Sequence, residues 1–292
     1  LNRIHRVGNG PGEYKDIGSI DVNPANGELY LKEMNRQQIH VYSLDGKFKH
    51  SFTFPEGKRM SRMCLFSPDY LIAEQESKVP DDQDANFYPY LLVSTRDGHL
   101  DSLDYVQKRN ILVKLIVNAE NHSYAYLLEP SLIRNGSRFY IGNPDSDTLF
   151  AMNPDRTLEP LLVRTPSHSE EGNKYGLFLR GAAGAYFFLT KQPMEVPMNS
   201  IESLDLKSEE WLYDCRTQEV CRYLLKNKDD ASKRVEGIMF FCYPEDCGLA
   251  VLKSEDLMDA YEAGQLSGEL KEIAAGLKAD DNPVLMLIHF KK

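Results

Sequence analysis

From residue 1 to about residue 253, apolar and polar positions alternate in short runs rich in Val, Ile, Tyr and Phe, the period-2 pattern of strands with one buried face. The stretch "SIDVNPANGELYLKEMNRQQIHVYSLDGKFKHSFTFP" holds a group of these runs, joined by Asn26-Gly27, by the longer "EMNRQ", and by Asp45-Gly46. Asn-Gly and Asp-Gly are strong hairpin signals, because both central residues of a type I′ turn need positive φ. The same unit returns with drift. "MCLFSPDYLIAEQ" turns at Pro68-Asp69 and leads to "YPYLLVSTRDGHLDSLDYV" with Asp97-Gly98. "SLIRNGSRFYIGNPDSDTLFAMNPDRTLEPLLV" turns at Asn135-Gly136 and Pro154-Asp155. A fourth copy joins "GLFLRGAAGAYFFLT" to "EEWLYDCRTQEVCRYLL", and a fifth joins "GIMFFCYPEDCGLAVL" to "PVLMLIHF". Four-stranded meanders recurring about every 50 to 60 residues, none able to hide both faces alone, predict an all-β fold, a β-propeller of stacked blades.

The opening "RVGNGPGEYKDIGSIDV" poses the alternative of a phosphate-binding loop. A dinucleotide fingerprint needs G-x-G-x-x-G between a strand and a helix. Gly8, Gly10 and Gly12 do not keep that spacing, Pro11 interrupts them, and "DIGSIDV" reads as a strand. The glycines predict a corner between the outer strand of one blade and the inner strand of the next.

The corner "GNGPGEY", the Asp-Gly hairpins and the closing stretch "AYEAGQLSGELKEIAAGLKADDNPVLMLIHFKK" resemble the six-bladed β-propeller proteins of gut bacteria, many of them exported lipoproteins. The resemblance spans nearly the whole chain and implies a single propeller domain, residues 1–292, in the periplasm or at the cell surface. The runs add up to about twenty strands, where six four-stranded blades would hold about twenty-four. A six-bladed protein with an incomplete first blade is the favoured reading, and closure as five blades the other. The segment "KRNILVKLIVNAENHSYAYLLEP" fits neither count and holds a possible extra strand pair.

Residues 254–282 form the one helical insert. Ser254 predicts an N-cap with Glu255 and Asp256 at the positive end of the helix dipole, and Gly264 a stop. Ser267 predicts the cap of a second helix whose Leu270, Ile273, Ala274 and Leu277 make an apolar stripe against the last blade.

Composition narrows the classes of function. The 292 residues carry a formal charge of −10, which opposes nucleic-acid binding because that rests on clustered cations. No apolar run is long enough for a membrane helix. Residue 1 is Leu, so the chain looks cut at its front and the absence of a signal peptide is uninformative. Of five cysteines, Cys215/Cys221 and Cys242/Cys247 each flank a turn and could bridge a hairpin. Neither spacing is a paired C-x-x-C and no histidine accompanies them, so no metal is expected and free core cysteines are the default. No cofactor motif is present.

In an antiparallel meander the first and third turns share one end of the sheet, while second turns and connections between sheets share the other. The long segments fall at the second end, and long loops on a rigid scaffold usually carry function. That end collects the candidate ligand-binding residues Tyr14, Phe87, Tyr88, His122, His168, Tyr175 and Arg234. Asp81, Asp82 and Asp84 lack the order of an EF-hand loop and read as a solvated loop. His168 with Glu170 is a weak candidate acid/base pair, and no G-x-S-x-G or H-E-x-x-H motif supports catalysis. The expectation is a non-catalytic binding or scaffold protein whose long-loop face takes a glycan, peptide or protein. The alternatives are a hydrolase or lyase drawing on His122, His168, Glu170 and Arg234 at the axial mouth, and an inactive fragment with adhesive strand edges.

Overall fold

A computed structural model of the chain describes residues 4, 7–56, 58–76, 88–103, 112–118, 123–128, 132–144, 146–172, 174–197, 208–235, 238–240 and 246–290. It is built mostly of antiparallel sheets and divides into two compact units, residues 1–111 and 112–292.

The first unit contains two four-stranded sheets, each in chain order. One holds β1 (Ile17–Asn23), β2 (Glu28–Glu33), β3 (Gln38–Ser43) and β4 (Phe48–Thr53). The other holds β5 (Met60–Ser67), β6 (Tyr70–Gln75), β7 (Tyr90–Ser94) and β8 (Leu100–Ser102). Tyr30 stands opposite Val41 across β2 and β3, so both project from one face of the first sheet. They join Ile39 and meet Met60, Leu65, Leu71, Ala73, Leu91 and Val93 of the second. Removing large apolar side chains from water stabilises by about 1.5–3 kcal/mol each, so this shared core holds the two sheets together.

β2 and β3 are buried on both faces. Leu31 and Tyr42 project to the other side, where the glycine-rich corner covers them with Tyr14. Double cover explains why β2 ends in four consecutive buried positions instead of alternating. The corner is built for packing. The Tyr42 hydroxyl donates to the Gly12 carbonyl at 2.8 Å, the Tyr14 hydroxyl to the Ile4 carbonyl at 3.0 Å, and the Gly10 N–H to Glu13 Oε2 at 2.8 Å.

In the second unit, β11 (Leu132–Asn135), β12 (Arg138–Ile141), β13 (Thr148–Met152) and β14 (Leu158–Val163) form one four-stranded sheet. A second combines β15 (Tyr175–Ala183), β16 (Tyr186–Pro193), β18 (Glu209–Asp214) and β19 (Glu219–Arg222). Tyr140 and Leu149 of the former pack against Leu179, Phe187 and Leu189 of the latter. The segment that fitted neither strand count is a hairpin, β9 (Leu112–Asn118) and β10 (Ser123–Leu128). Its partner is β17 (Glu195–Pro197), which runs parallel to β9. That stretch reads as loop because prolines crowd it, yet its Val196 is buried with Leu115 and Phe178. "KNKDDASKRVE" is likewise no loop: β20 (Lys226–Asn227) and β21 (Asp230–Arg234) pair as a hairpin. The described residues therefore contain twenty-four strands, more than the sequence pattern announces, because short pairings leave almost no periodic trace.

The last sheet is β22 (Met239–Phe240), β23 (Cys247–Leu252) and β24 (Val284–His289). Between β23 and β24 lie α1 (Ser254–Glu262) and α2 (Gly268–Ala274), inside the expected insert. Leu257, Ala260, Leu266, Leu270 and Ala274 make their core, with Leu277 packed beside it. Two details differ from the sequence expectation. Lys253 occupies the cap position of α1 without a side-chain bond, and Ser254 instead donates its hydroxyl to the carbonyls of Asp281 at 3.1 Å and Asn282 at 2.9 Å. Ser254 thus fastens the start of α1 to the entry of β24. Ile273 sits at the edge of the stripe, beside the line from Leu270 to Ala274, and is 39% exposed. Cys215 and Cys221 are free and exposed. Cys221 stands opposite Leu212 in the β18–β19 hairpin while Cys215 lies in its turn, so the two are not facing partners. Cys242 lies outside the described residues.

Gly12 and Gly27 have similar positive φ, 70° and 63°, but different surroundings. A Cβ on Gly12 would meet the Phe48 ring at 2.5 Å, whereas one on Gly27 meets nothing within 4 Å. Gly27→Ala is expected to cost about 1 kcal/mol from backbone strain, and Gly12→Ala about 2–4 kcal/mol because overpacking is added. Urea unfolding of the two variants checks the order.

Candidate functional site

Two regions gather polar side chains, each within one unit. The first is the connection from β14 to β15, where three of the candidate residues come together. Arg164, 9% exposed at its side chain, pairs with Glu171, and Lys191 pairs with the other oxygen of the same carboxylate. Arg164 also reaches Asp147 at 3.9 Å and donates to the Tyr175 carbonyl at 3.3 Å. His168 donates its backbone N–H to Asp147 Oδ1 at 2.6 Å, and its Nδ1 lies 2.9 Å from the Tyr175 carbonyl. A carbonyl only accepts, so Nδ1 carries the proton. The Tyr175 ring lies under Lys191, whose Nζ is 5.0 Å from the centroid.

Glu170 does not join His168. Its carboxylate accepts the Ser167 N–H at 2.7 Å, and that bond, with the Ser167 hydroxyl, holds its pKa below the ordinary carboxylate value. His168 Nδ1 bonds to the Tyr175 carbonyl and the Glu170 carboxylate to Ser167, so the two side chains are not bonded to each other.

The remaining candidates are scattered. Tyr14 is buried in the corner core, so its ring packs the fold and is not open to a ligand. Tyr88 packs against the core shared by β1–β4 and β5–β8. Phe87 and His122 lie outside the described residues, as do Asp81, Asp82 and Asp84. Arg234 ends β21, its side chain outside the described set.

The second region is a hollow of about 600 Å³ in the first unit. It lies at the end where the tight turns β1–β2, β5–β6 and β7–β8 meet, opposite the end that the loop lengths favour. Asn26, Asp69, Thr95, Arg96 and Asp97 come from those turns, Glu28, Tyr70 and Ser94 from the adjoining strand ends, and His50 from within β4. The turns are tied to one another: Asn26 Nδ2 and Asn23 Nδ2 each donate to the Pro68 carbonyl at 2.9 Å, and the Thr95 N–H donates to the Asp69 carbonyl at 2.9 Å. The wall is therefore fixed in place before any ligand arrives.

Glu28 accepts from Lys49 Nζ and from the Tyr30 hydroxyl, both at 2.5 Å. Burial alone would raise the Glu28 pKa, but the bonds to Lys49 and Tyr30 and the Lys49 charge outweigh it and hold the group below its ordinary value. Burial, and then the bond to Glu28, pushes the Tyr30 phenol up to about 12. His50 also lines the hollow, while its Nε2 is closed off from solvent and has no hydrogen-bond partner among the described residues. An unsatisfied buried polar atom costs about 1–3 kcal/mol. The lining holds the acids Glu28, Asp69 and Asp97 against the cation Arg96, which opposes a phosphate ligand. It offers acceptors and donors together with the aromatic residue Tyr70, a mixture suited to a neutral, hydroxyl-rich molecule.

Fold and site together define a mostly β protein of repeated antiparallel sheets with a polar hollow at the turn end of one unit. The family model "Domain of unknown function (DUF4934)" matches residues 1–289, and the chain belongs to that family. A comparison with functionally curated proteins gives no match. Among solved structures, a protein of Bacteroides fragilis described as exported is similar over 100% of this chain and 82% of its own, with 15% identity and a TM-score of 0.68. A member of the DUF4221 family from Bacteroides vulgatus is similar over 99% of this chain and 83% of its own, with 9% identity and a TM-score of 0.50. At these identities the likeness is one of fold. Among the described residues no helix is long and apolar enough to cross a membrane.

Carboxyl-resolved NMR is expected to place the Glu28 midpoint below 4.5, its ordinary value. Its contribution to stability is then complete above that value and lost as pH falls through the lower, folded midpoint. Lys49→Ala removes a bond that favours the anion, so the midpoint moves upward.

Proposed function

We propose that the chain is a non-catalytic binding protein working outside the cytoplasm, and that the hollow beside Tyr70 and His50 takes a neutral, hydroxyl-rich ligand such as a glycan. The proposed architecture is a propeller in which the four-stranded sheets are blades. Its support is the recurrence of meanders in chain order, each sharing its core with the next inside a unit. The extracytoplasmic location rests on the likeness to a protein described as exported and on the resemblance to exported propeller lipoproteins.

The observation that carries the binding reading is the preformed polar hollow itself, lined by Glu28, His50, Asp69, Tyr70 and Arg96. A ligand hydroxyl can act as donor or acceptor, so it can pair with carboxylates and with the guanidinium alike. Arg96 and Asp69 sit exposed at the rim and can hydrogen-bond vicinal hydroxyls, while Tyr70 supplies apolar ring surface. The enzyme alternative draws on His122, His168, Glu170 and Arg234, and of these His168 and Glu170 are bonded to Tyr175 and Ser167 and not to each other.

Isothermal titration against neutral oligosaccharides, with peptides as a second panel, tests this. An oligosaccharide is expected to bind, and Tyr70→Ala and Arg96→Ala each to weaken it about tenfold or more, about 1.4 kcal/mol. His168→Ala, in the other unit, should leave the affinity unchanged. Binding of peptides alone, or of sugars with no loss in the Tyr70 and Arg96 variants, overturns the assignment.

A further inference from the structure

At the far end of the last sheet, a thiol, an imidazole and a carboxylate meet. Cys247 begins β23 and stands directly opposite His289, the last residue of β24. Cys247 Sγ lies 3.1 Å from His289 Nδ1 and 3.7 Å from Asp246 Oδ1. Donor atoms of all three residues lie within 4.8 Å of one another, a grouping found nowhere else among the described residues. The backbone under them is fixed by the β23–β24 ladder and by the Phe290 N–H, which donates to the Asp246 carbonyl at 2.8 Å. Behind the thiol the packing is tight: a Cβ on Gly248 would meet Ile238 at 2.8 Å and Phe290 at 3.3 Å. The three donors are therefore placed by the sheet and not by a free loop.

We propose that Asp246, Cys247 and His289 form a binding site for a divalent transition-metal cation, zinc above all. The donor set is one sulfur, one nitrogen and one oxygen. Calcium and magnesium take oxygen ligands, whereas thiolate with imidazole suits Zn²⁺. Tetrahedral zinc with bonds of about 2.0–2.3 Å sets neighbouring donors about 3.3–3.6 Å apart. The two separations at the sulfur, 3.1 and 3.7 Å, bracket that range, and all three donors lie within 4.8 Å of one another, so the ion draws the exposed His289 and the half-buried Asp246 inward.

Zinc binds the thiolate and not the thiol, so the proton on Cys247 has to leave. A dication replaces that proton: the S–H bond breaks, an S–Zn bond forms, and one proton passes to water for each ion bound. Three protein ligands leave a fourth position, and because His289 is exposed and Asp246 half-buried that position lies toward solvent. Such a site binds exchangeably and accepts water or a ligand atom as the fourth donor.

The test uses the whole chain, reduced, titrated with Co²⁺ as a spectroscopic stand-in and then with Zn²⁺. Expected are a thiolate-to-cobalt charge-transfer band, tetrahedral visible bands, their loss on adding zinc, and release of one proton per ion in weak buffer. Cys247→Ser removes the charge-transfer band. Because that thiol is buried, His289→Ala at the exposed strand end is the second variant, and it should lower cobalt affinity about tenfold or more, about 1.4 kcal/mol. No charge-transfer band in the reduced chain overturns the site, as does equal affinity in the His289 variant. So does mass spectrometry of the isolated protein showing Cys247 joined to Cys242.

Discussion

The structure depends on one constraint: a four-stranded meander has two faces and no way to bury both alone. Each sheet therefore has to borrow cover. In the first unit the sheet β1–β4 receives β5–β8 on one face and the glycine-rich corner on the other, while in the second unit β11–β14 receives β15, β16, β18 and β19. The β2 and β3 strands show the result most directly, with Tyr30, Ile39 and Val41 turned to one neighbour and Leu31 and Tyr42 to the other. The helical hairpin plays the same part for the β23–β24 end, where Leu252 and Val284 lie under Leu257 and Leu270. Part of the last sheet stays open, with Leu285 and Leu287 more than half exposed.

Much of the shared interior is apolar, with Lys32, Glu33 and His40 as buried exceptions in β2 and β3. The hollow and the metal-type cluster lie near strand ends. At the tight-turn end of the first unit, the facing sheets carry Glu28, His50 and the turn residues in place of Leu, Ile and Val, and a gap is left between them. At the end of β23 and β24 the ladder runs out, and Cys247 and His289 are left side by side. The loop at Arg164 is the contrasting case. It is as rich in charge as either of these, and there Arg164, Glu171 and Lys191 satisfy one another.

The alternation of apolar residues and the Asn-Gly and Asp-Gly turns determined by themselves the meanders, their boundaries and the helical insert, because strand pattern and turn chemistry are local. They also determined that Gly8, Gly10 and Gly12 make a corner and not a nucleotide loop. Only the tertiary structure decided the pairing of β17 with β9, a parallel contact about eighty residues apart that leaves no local pattern. It alone decided that His289 meets Cys247, since residues distant in the chain become neighbours through register, and a search of adjacent residues finds no histidine there. It alone placed the polar hollow among the short turns. Loop length is written in the sequence, but the space between facing sheets depends on how their ends splay and on which side chains fill the gap, and that is settled only when the sheets pack.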